Sequence, residues 1–120
     1  MRKFLGRVLV VLSLGAAAAA ASAAGCGSAE VEAARPSEAR AAVARGALLL
    51  DVRTPEEFQG GHVEGATNIP VQVLAERAGE ITAGREVVVY CKSGRRSAAA
   101  AELLRGRGHK VIDIGPMTAW

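Results

Sequence analysis

Cys91-Lys92-Ser93-Gly94-Arg95-Arg96-Ser97 lies between Glu86-Val87-Val88-Val89-Tyr90 and an alanine-rich stretch, Ser97-Ala98-Ala99-Ala100-Ala101-Glu102-Leu103-Leu104-Arg105. The first flank is a short β-branched run, the pattern of a strand buried on both faces of a parallel sheet. The second consists of strong helix formers that end at Gly106 or Gly108. Strand, tight glycine-containing loop and helix start together place Cys91 at the carboxyl edge of a sheet. There the loop N–H groups and the helix N-terminus converge on its sulfur. The stretch reads as an anion cradle with a nucleophile inside it.

The charges support that reading. A free thiol with a pKa of ~8.5 is only about 3% thiolate at neutral pH. A helix N-terminus favours an anion by roughly 0.3–1 kcal/mol, less than the ~1.4 kcal/mol of one pKa unit. Lys92, Arg95 and Arg96 are expected to supply the rest, so that Cys91 works as a thiolate. The alternative is a small core hydrophobe at a strand end. Three cations and a glycine directly after the strand favour the nucleophile.

Outward from the loop, strands and helices alternate. Ser37–Arg45 after Pro36 predicts a helix with Gly46 just past its end, and Ala47–Val52 predicts the next buried strand. Thr54-Pro55-Glu56-Glu57 is a helix start, with Thr54 as N-cap, Pro55 at the first helical position and Glu57 closing a capping box. Gly60-Gly61 ends that helix early. Ala66–Ile69 reads as a brief strand, Pro70 opens a helix whose Leu74 faces the core along with Ile81, and Lys110–Ile114 forms a last strand. With aromatics scarce, the core is aliphatic: Leu48, Leu49, Leu50, Val52, Val87, Val88, Val89, Leu103, Leu104, Val111, Ile112 and Ile114. The expected fold is α/β, a small open parallel sheet with helices on both faces and the site at the strand carboxyl ends. No internal repeat and no zinc-ligand spacing occurs in the sequence.

The first 25 residues read as an address. Met1-Arg2-Lys3-Phe4-Leu5-Gly6-Arg7 is basic, Val8–Leu14 is apolar, and an alanine run leads to Ala23-Ala24-Gly25-Cys26. This is the layout of a secretory signal. Its end resembles a lipobox, in which small residues precede a lipidated Cys, with Ala23 where Leu is usual. Residues 1–25 are therefore expected to be a signal peptide, Cys26 a lipidation site, 26–35 a tether and 36–120 the domain. The implied placement is exported, anchored by lipid at the cell envelope and facing periplasm or exterior. Cleavage after Ala21-Ser22-Ala23, giving a soluble product, and retention as a membrane anchor are the alternatives. Without Arg2, Lys3 and Arg7, the 15 Lys+Arg of the chain become 12 against 12 Asp+Glu. The remaining chain is formally neutral, and no basic patch with interleaved aromatics suggests a nucleic-acid partner. With Cys26 lipidated, Cys91 stands alone, as expected of a catalytic rather than a structural thiol.

Four ordered motifs carry a family resemblance. They are Leu50-Asp51-Val52-Arg53 with Glu56-Glu57-Phe58; Gly61-His62-Val63-Glu64-Gly65-Ala66-Thr67-Asn68-Ile69-Pro70; Tyr90 to Ser97; and Gly115-Pro116-Met117-Thr118-Ala119-Trp120. Over about residues 36–120 the chain resembles a single rhodanese domain, the sulfurtransferase family in which an active-site Cys carries a persulfide. The resemblance implies that Cys91 is catalytic and that Lys92, Ser93, Gly94, Arg95, Arg96 and Ser97 bind substrate. It implies structural support from Asp51, Arg53, Glu57 and His62 around the loop, and Met117–Trp120 packed beside it. No metal or organic cofactor is implied.

The resulting expectation is a thiosulfate-type sulfurtransferase. A small anionic sulfane donor would charge Cys91, with Arg95 and Arg96 holding it, and a thiol, a thiol protein or cyanide would take the sulfur. Two rivals differ in kind. A Cys-dependent phosphatase needs Arg six positions after the Cys, where this chain has Ser97. A non-enzymatic sulfur carrier or sensor would use the same Cys91 without steady-state turnover.

Overall fold

The computed structural model describes residues 27–120, with side chains described from Arg35 onward. Residues 1–26, read above as a signal peptide and lipidation site, lie outside the described residues. Helices and strands alternate as α1 (Gly27–Ala44), β1 (Leu48–Asp51), α2 (Pro55–Gln59), β2 (Thr67–Asn68), α3 (Val71–Arg77), β3 (Val87–Cys91), α4 (Arg95–Gly106) and β4 (Val111–Pro116). Two 3-10 turns, Ala78–Glu80 and Met117–Ala119, follow α3 and β4. The four strands form one sheet in the order β2-β1-β3-β4, and every pairing is parallel. This is the α/β architecture expected from the alternating sequence pattern.

Two helix starts differ from the sequence reading. Helix α1 runs back through Pro36 to Gly27, across the segment read as a tether. Ala and Glu dominate Ser28–Ala34, and their high propensity carries the helix through that segment. Helix α4 begins at Arg95 rather than Ser97, because Gly94 takes the N-cap position at φ 98°. The stretch between β3 and α4 is thus only Lys92-Ser93-Gly94.

Side-chain alternation along the strands sorts the core onto two faces. Leu50, Val87, Val89 and Cys91 pack with Leu74, Ala100, Ala101 and Leu104 on the α3/α4 side. Leu49, Val88, Tyr90 and Ile114 pack with Ala39 and Ala42 of α1 on the other. All five residues of β3 are buried, as a strand covered on both faces requires. Tyr90, absent from the expected core, is 0% exposed. Conversely, Leu48, Leu103, Val111 and Ile112 are only partly buried, packing at the margins of the two clusters.

One irregularity positions the site. The β3–β4 register shifts between Val89 and Tyr90, so that Tyr90 pairs with Gly115 and Cys91 with Pro116. Asp113 Oδ1 accepts from Gly115 N at 2.8 Å, and Gly115 sits at φ 81°. This bulge re-aims the end of β4 over the loop. It brings Gly115 against Gly94, where a Cβ on Gly94 would stand 3.6 Å from the Gly115 Cα.

Candidate active site

Cys91 ends β3 as a free thiol, 0% exposed, directly beneath the N-terminus of α4. The first N–H groups of a helix have no partner within it. Gly94, at the N-cap, has no side chain to offer them. The Cys91 sulfur takes that place. Gly94 N–H donates to Sγ at 2.9 Å. Burial pushes the thiol pKa up, but the Ser97 hydroxyl and the N–H groups of Ser97, Gly94 and Ser93 together outweigh it and hold the thiol below its ordinary 9.0. The thiolate is thus favoured chiefly by directed hydrogen bonds rather than by the neighbouring cations.

Ser97 is buried, and its Oγ lies 3.1 Å from Gly94 O at the first turn of α4, where its one proton is shared between that carbonyl and the Cys91 sulfur. Lys92, Ser93 and Arg95 are exposed. Arg96 is engaged elsewhere: Nη1 and Nη2 donate to Glu57 Oε1 and Oε2 at 2.6 and 3.1 Å. That fork is bidentate and charge-assisted. The Arg96 hydrogen bonds pull the Glu57 carboxyl down to about 2, against the opposing effect of burial. Glu57 is itself placed by the capping box, where Thr54 Oγ1 accepts from Glu57 N at 3.2 Å.

Below this pair lies a second, buried one. Asp51 is 0% and Arg53 5% exposed. Arg53 Nη2 donates to Asp51 Oδ2 and to Gly61 O, both at 2.7 Å, and Arg53 N donates to Asp51 Oδ1 at 2.9 Å. The Asn68 amide donates to the carbonyls of Asp51 and Arg53 at 3.0 and 2.9 Å. The guanidinium stands 5.7 Å from the Tyr90 ring centroid. Tyr90 Oη accepts from Val63 N at 3.1 Å, and burial pushes its phenol up to about 12. His62 is exposed, stacked on Phe58 at 3.7 Å, with Nδ1 2.8 Å from Phe58 O. These groups fix the Gly60-Gly61 turn beside the Cys91 loop.

Arg53, Glu57, Gly60, Gly61, Lys92 and Met117 line, with Thr118, a cleft of about 360 Å³. Trp120 packs against the cluster of Ala39, Ala42 and Tyr90, with the Arg40 guanidinium of α1 5.6 Å from its ring centroid. Sequence reading did not single out Tyr90 or Asn68 as parts of the site. Each is an ordinary strand residue in sequence, and only the sheet register shows what its polar atoms reach. Met117 and Thr118 were expected beside the loop, and they are there.

Among the described residues, one free cysteine accepts hydrogen bonds between the end of a parallel strand and a helix N-terminus, a thiol site in an α/β fold. The rhodanese-like domain family matches residues 35–120, and the chain belongs to it. It is 48% identical over 64 residues to the uncharacterized protein YqhL of Bacillus subtilis, covering 53% of this chain and 51% of that protein. A sulfurtransferase of Allochromatium vinosum is 39% identical over 75 residues, covering 61% of this chain and 70% of the relative. Among solved structures, a rhodanese with anions from E. coli superimposes with a TM-score of 0.58 at 36% identity, covering 62% of this chain and 92% of that one. The chain spans about half of YqhL.

Proposed function

We propose that the protein is a sulfurtransferase that moves sulfane sulfur through a persulfide on Cys91. The observation that carries this reading is the thiol used as the helix-capping acceptor, with Gly94 N–H 2.9 Å from Sγ. The sulfurtransferase name of one relative and the family match support it. In the first half-reaction the Cys91 thiolate attacks the outer sulfur of a donor such as thiosulfate. A new S–S bond forms, the donor's own S–S bond breaks, and its electron pair leaves with sulfite. In the second, a thiolate or cyanide attacks the outer persulfide sulfur and the Cys91 thiolate is restored, a ping-pong double displacement. The N–H groups that face Sγ stabilise negative charge in both states. No step requires a metal or an organic cofactor.

The phosphatase rival finds no support in the geometry. Ser97, at the position where that chemistry needs a guanidinium fork, is buried and bonded to Gly94 O. The carrier rival uses the same sulfur and differs only in turnover. We also propose membrane placement through a lipidated Cys26, on the pattern of residues 1–26. The test of the activity is steady-state turnover of the full chain with thiosulfate and cyanide, alongside intact mass. Donor treatment should add ~32 Da to wild type and nothing to Cys91→Ser. Turnover in the Ser variant would refute the nucleophile. Persulfide formation without turnover would favour the carrier.

A further inference from the structure

Strand β4 is the last in the order β2-β1-β3-β4 and, among the described residues, pairs with β3 alone. Its other edge carries backbone groups that the sheet does not use. Lys110 O accepts from Val87 N at 2.8 Å, so the alternation of a ladder turns the backbone of Val111 and Asp113 outward. Arg105 Nη2 donates to Val111 O at 3.0 Å. Val111 N–H and both backbone groups of Asp113 are left to pair with something outside the sheet. Edge strands are commonly blocked by an internal Lys or Pro, and Val111-Ile112-Asp113-Ile114 contains neither.

A cavity of about 240 Å³ runs along this edge, lined by Arg35, Glu38, Arg105, Val111, Ile112 and Asp113. Ile112 packs on the α1 side of the sheet and Val111 on the α3/α4 side, which Asp113 shares by alternation. Arg35, Glu38 and Arg105 are exposed and Asp113 is half-buried. Among the described residues the ion pairs are Arg45–Glu86, Arg53–Asp51, Arg77–Glu80 and Arg96–Glu57, and none of the four charges along the edge takes part in one. Two cations and two anions thus border one apolar side chain without pairing with each other. Such a patch is complementary to its own image under a two-fold rotation.

We propose that the β4 edge is a dimer interface whose occupant is a second copy of this chain. The two β4 strands run antiparallel about an axis at Ile112, and two sheets of four strands become one of eight. Val111 then lies opposite the partner's Asp113, and their outward N–H and C=O groups close the ladder. On the α4 side Arg105, already held at Val111, reaches the partner's Asp113. On the α1 side Arg35 meets the partner's Glu38, and the Ile112 side chains of the two copies meet at the axis. The antiparallel arrangement sets the two Cys91 loops at opposite ends of the joined sheet.

Sedimentation equilibrium of the full chain in density-matched detergent tests the proposal. The mass should shift from one chain to two with rising concentration, and the Val111 and Asp113 amides should gain hydrogen-exchange protection in step. Ile112→Lys places like charges on the axis and should abolish the dimer. Arg35→Glu and Glu38→Arg, both at exposed positions of α1, each turn the cross-axis pairs into repulsions and should weaken association by roughly tenfold. An equimolar mixture of those two variants should recover wild-type affinity, because every introduced charge then faces an opposite one. A chain that stays monomeric would overturn the proposal, as would a dimer that survives all three substitutions or a mixture no tighter than its components. A monomer whose β4 amides are already protected would show that another segment or partner occupies the edge, and would overturn it equally.

Discussion

At the scale of the residue, the chemistry depends on how one sulfur is solvated. Cys91 lies out of water, yet its thiol pKa is below the ordinary 9.0, because donors from Ser97, Gly94 and Ser93 outweigh burial. Activity that follows the thiolate should therefore rise with pH with a midpoint below that of an ordinary thiol. Ser97→Ala removes one donor and should move that limb to higher pH in a kcat/KM profile; an unmoved limb would exclude the hydroxyl from thiolate stabilisation. Glu57 has the opposite role, as an acceptor. Its folded pKa of about 2 lies below the 4.5 of a free carboxyl, so its stabilising effect is present above about pH 4.5 and is lost as pH falls toward 2. Wild type and Glu57→Gln should accordingly converge in acid-unfolding curves across that window.

At the scale of the element, a three-residue loop closes the cradle, and Gly94 makes it possible. Its φ of 98° is a conformation that a side chain resists, whereas the nearest atom to an added Cβ, the Gly115 Cα at 3.6 Å, is at ordinary contact distance. Gly94→Ala should thus cost about 1–2 kcal/mol through backbone strain rather than through a clash. The same strain should turn the Gly94 N–H away from Sγ. Thermal melting and the rate of Cys91 alkylation at fixed pH would register both effects. On the neighbouring element, Thr54→Ala removes the N-cap of α2 and should cost about 1 kcal/mol. Because Glu57 follows from that cap, the loss should also loosen the Arg96 contact.

At the scale of the whole molecule, the buried Asp51–Arg53 pair joins the carboxyl end of β1 to the Gly60-Gly61 turn. Asp51→Ala would leave a guanidinium that is 5% exposed without its carboxylate. Removing one partner of such a pair costs about 3–5 kcal/mol, and a smaller loss in chemical denaturation would mean that Arg53 finds water or another acceptor. For the full chain, the lipobox-like end predicts a mature protein that starts at Cys26 and partitions into detergent. A water-soluble product beginning near Ala24, seen by intact mass, would indicate ordinary secretion instead.

Much of this was legible in the sequence because it depends on neighbours along the chain. The β-branched run before Cys91 and the alanine run after Ser97 specify strand and helix through local propensity and burial. The Thr54–Glu57 capping box is a four-residue pattern, and it forms as written. Sequence alone could not say which of the three loop cations is already paired. Lys92, Arg95 and Arg96 look equivalent in the chain, and only the packing of α2 against the loop lets Glu57, 39 positions away, claim Arg96. Nor could it show that Tyr90 reaches Val63 or that β4 shifts register to set Gly115 on Gly94, since both follow from sheet pairing. Local sequence determined the elements and placed Cys91 at their junction. Donors within six residues hold its thiol down, whereas long-range contacts decided which of the surrounding charges are paired, because a charge is neutralised by whatever the fold brings within hydrogen-bonding distance.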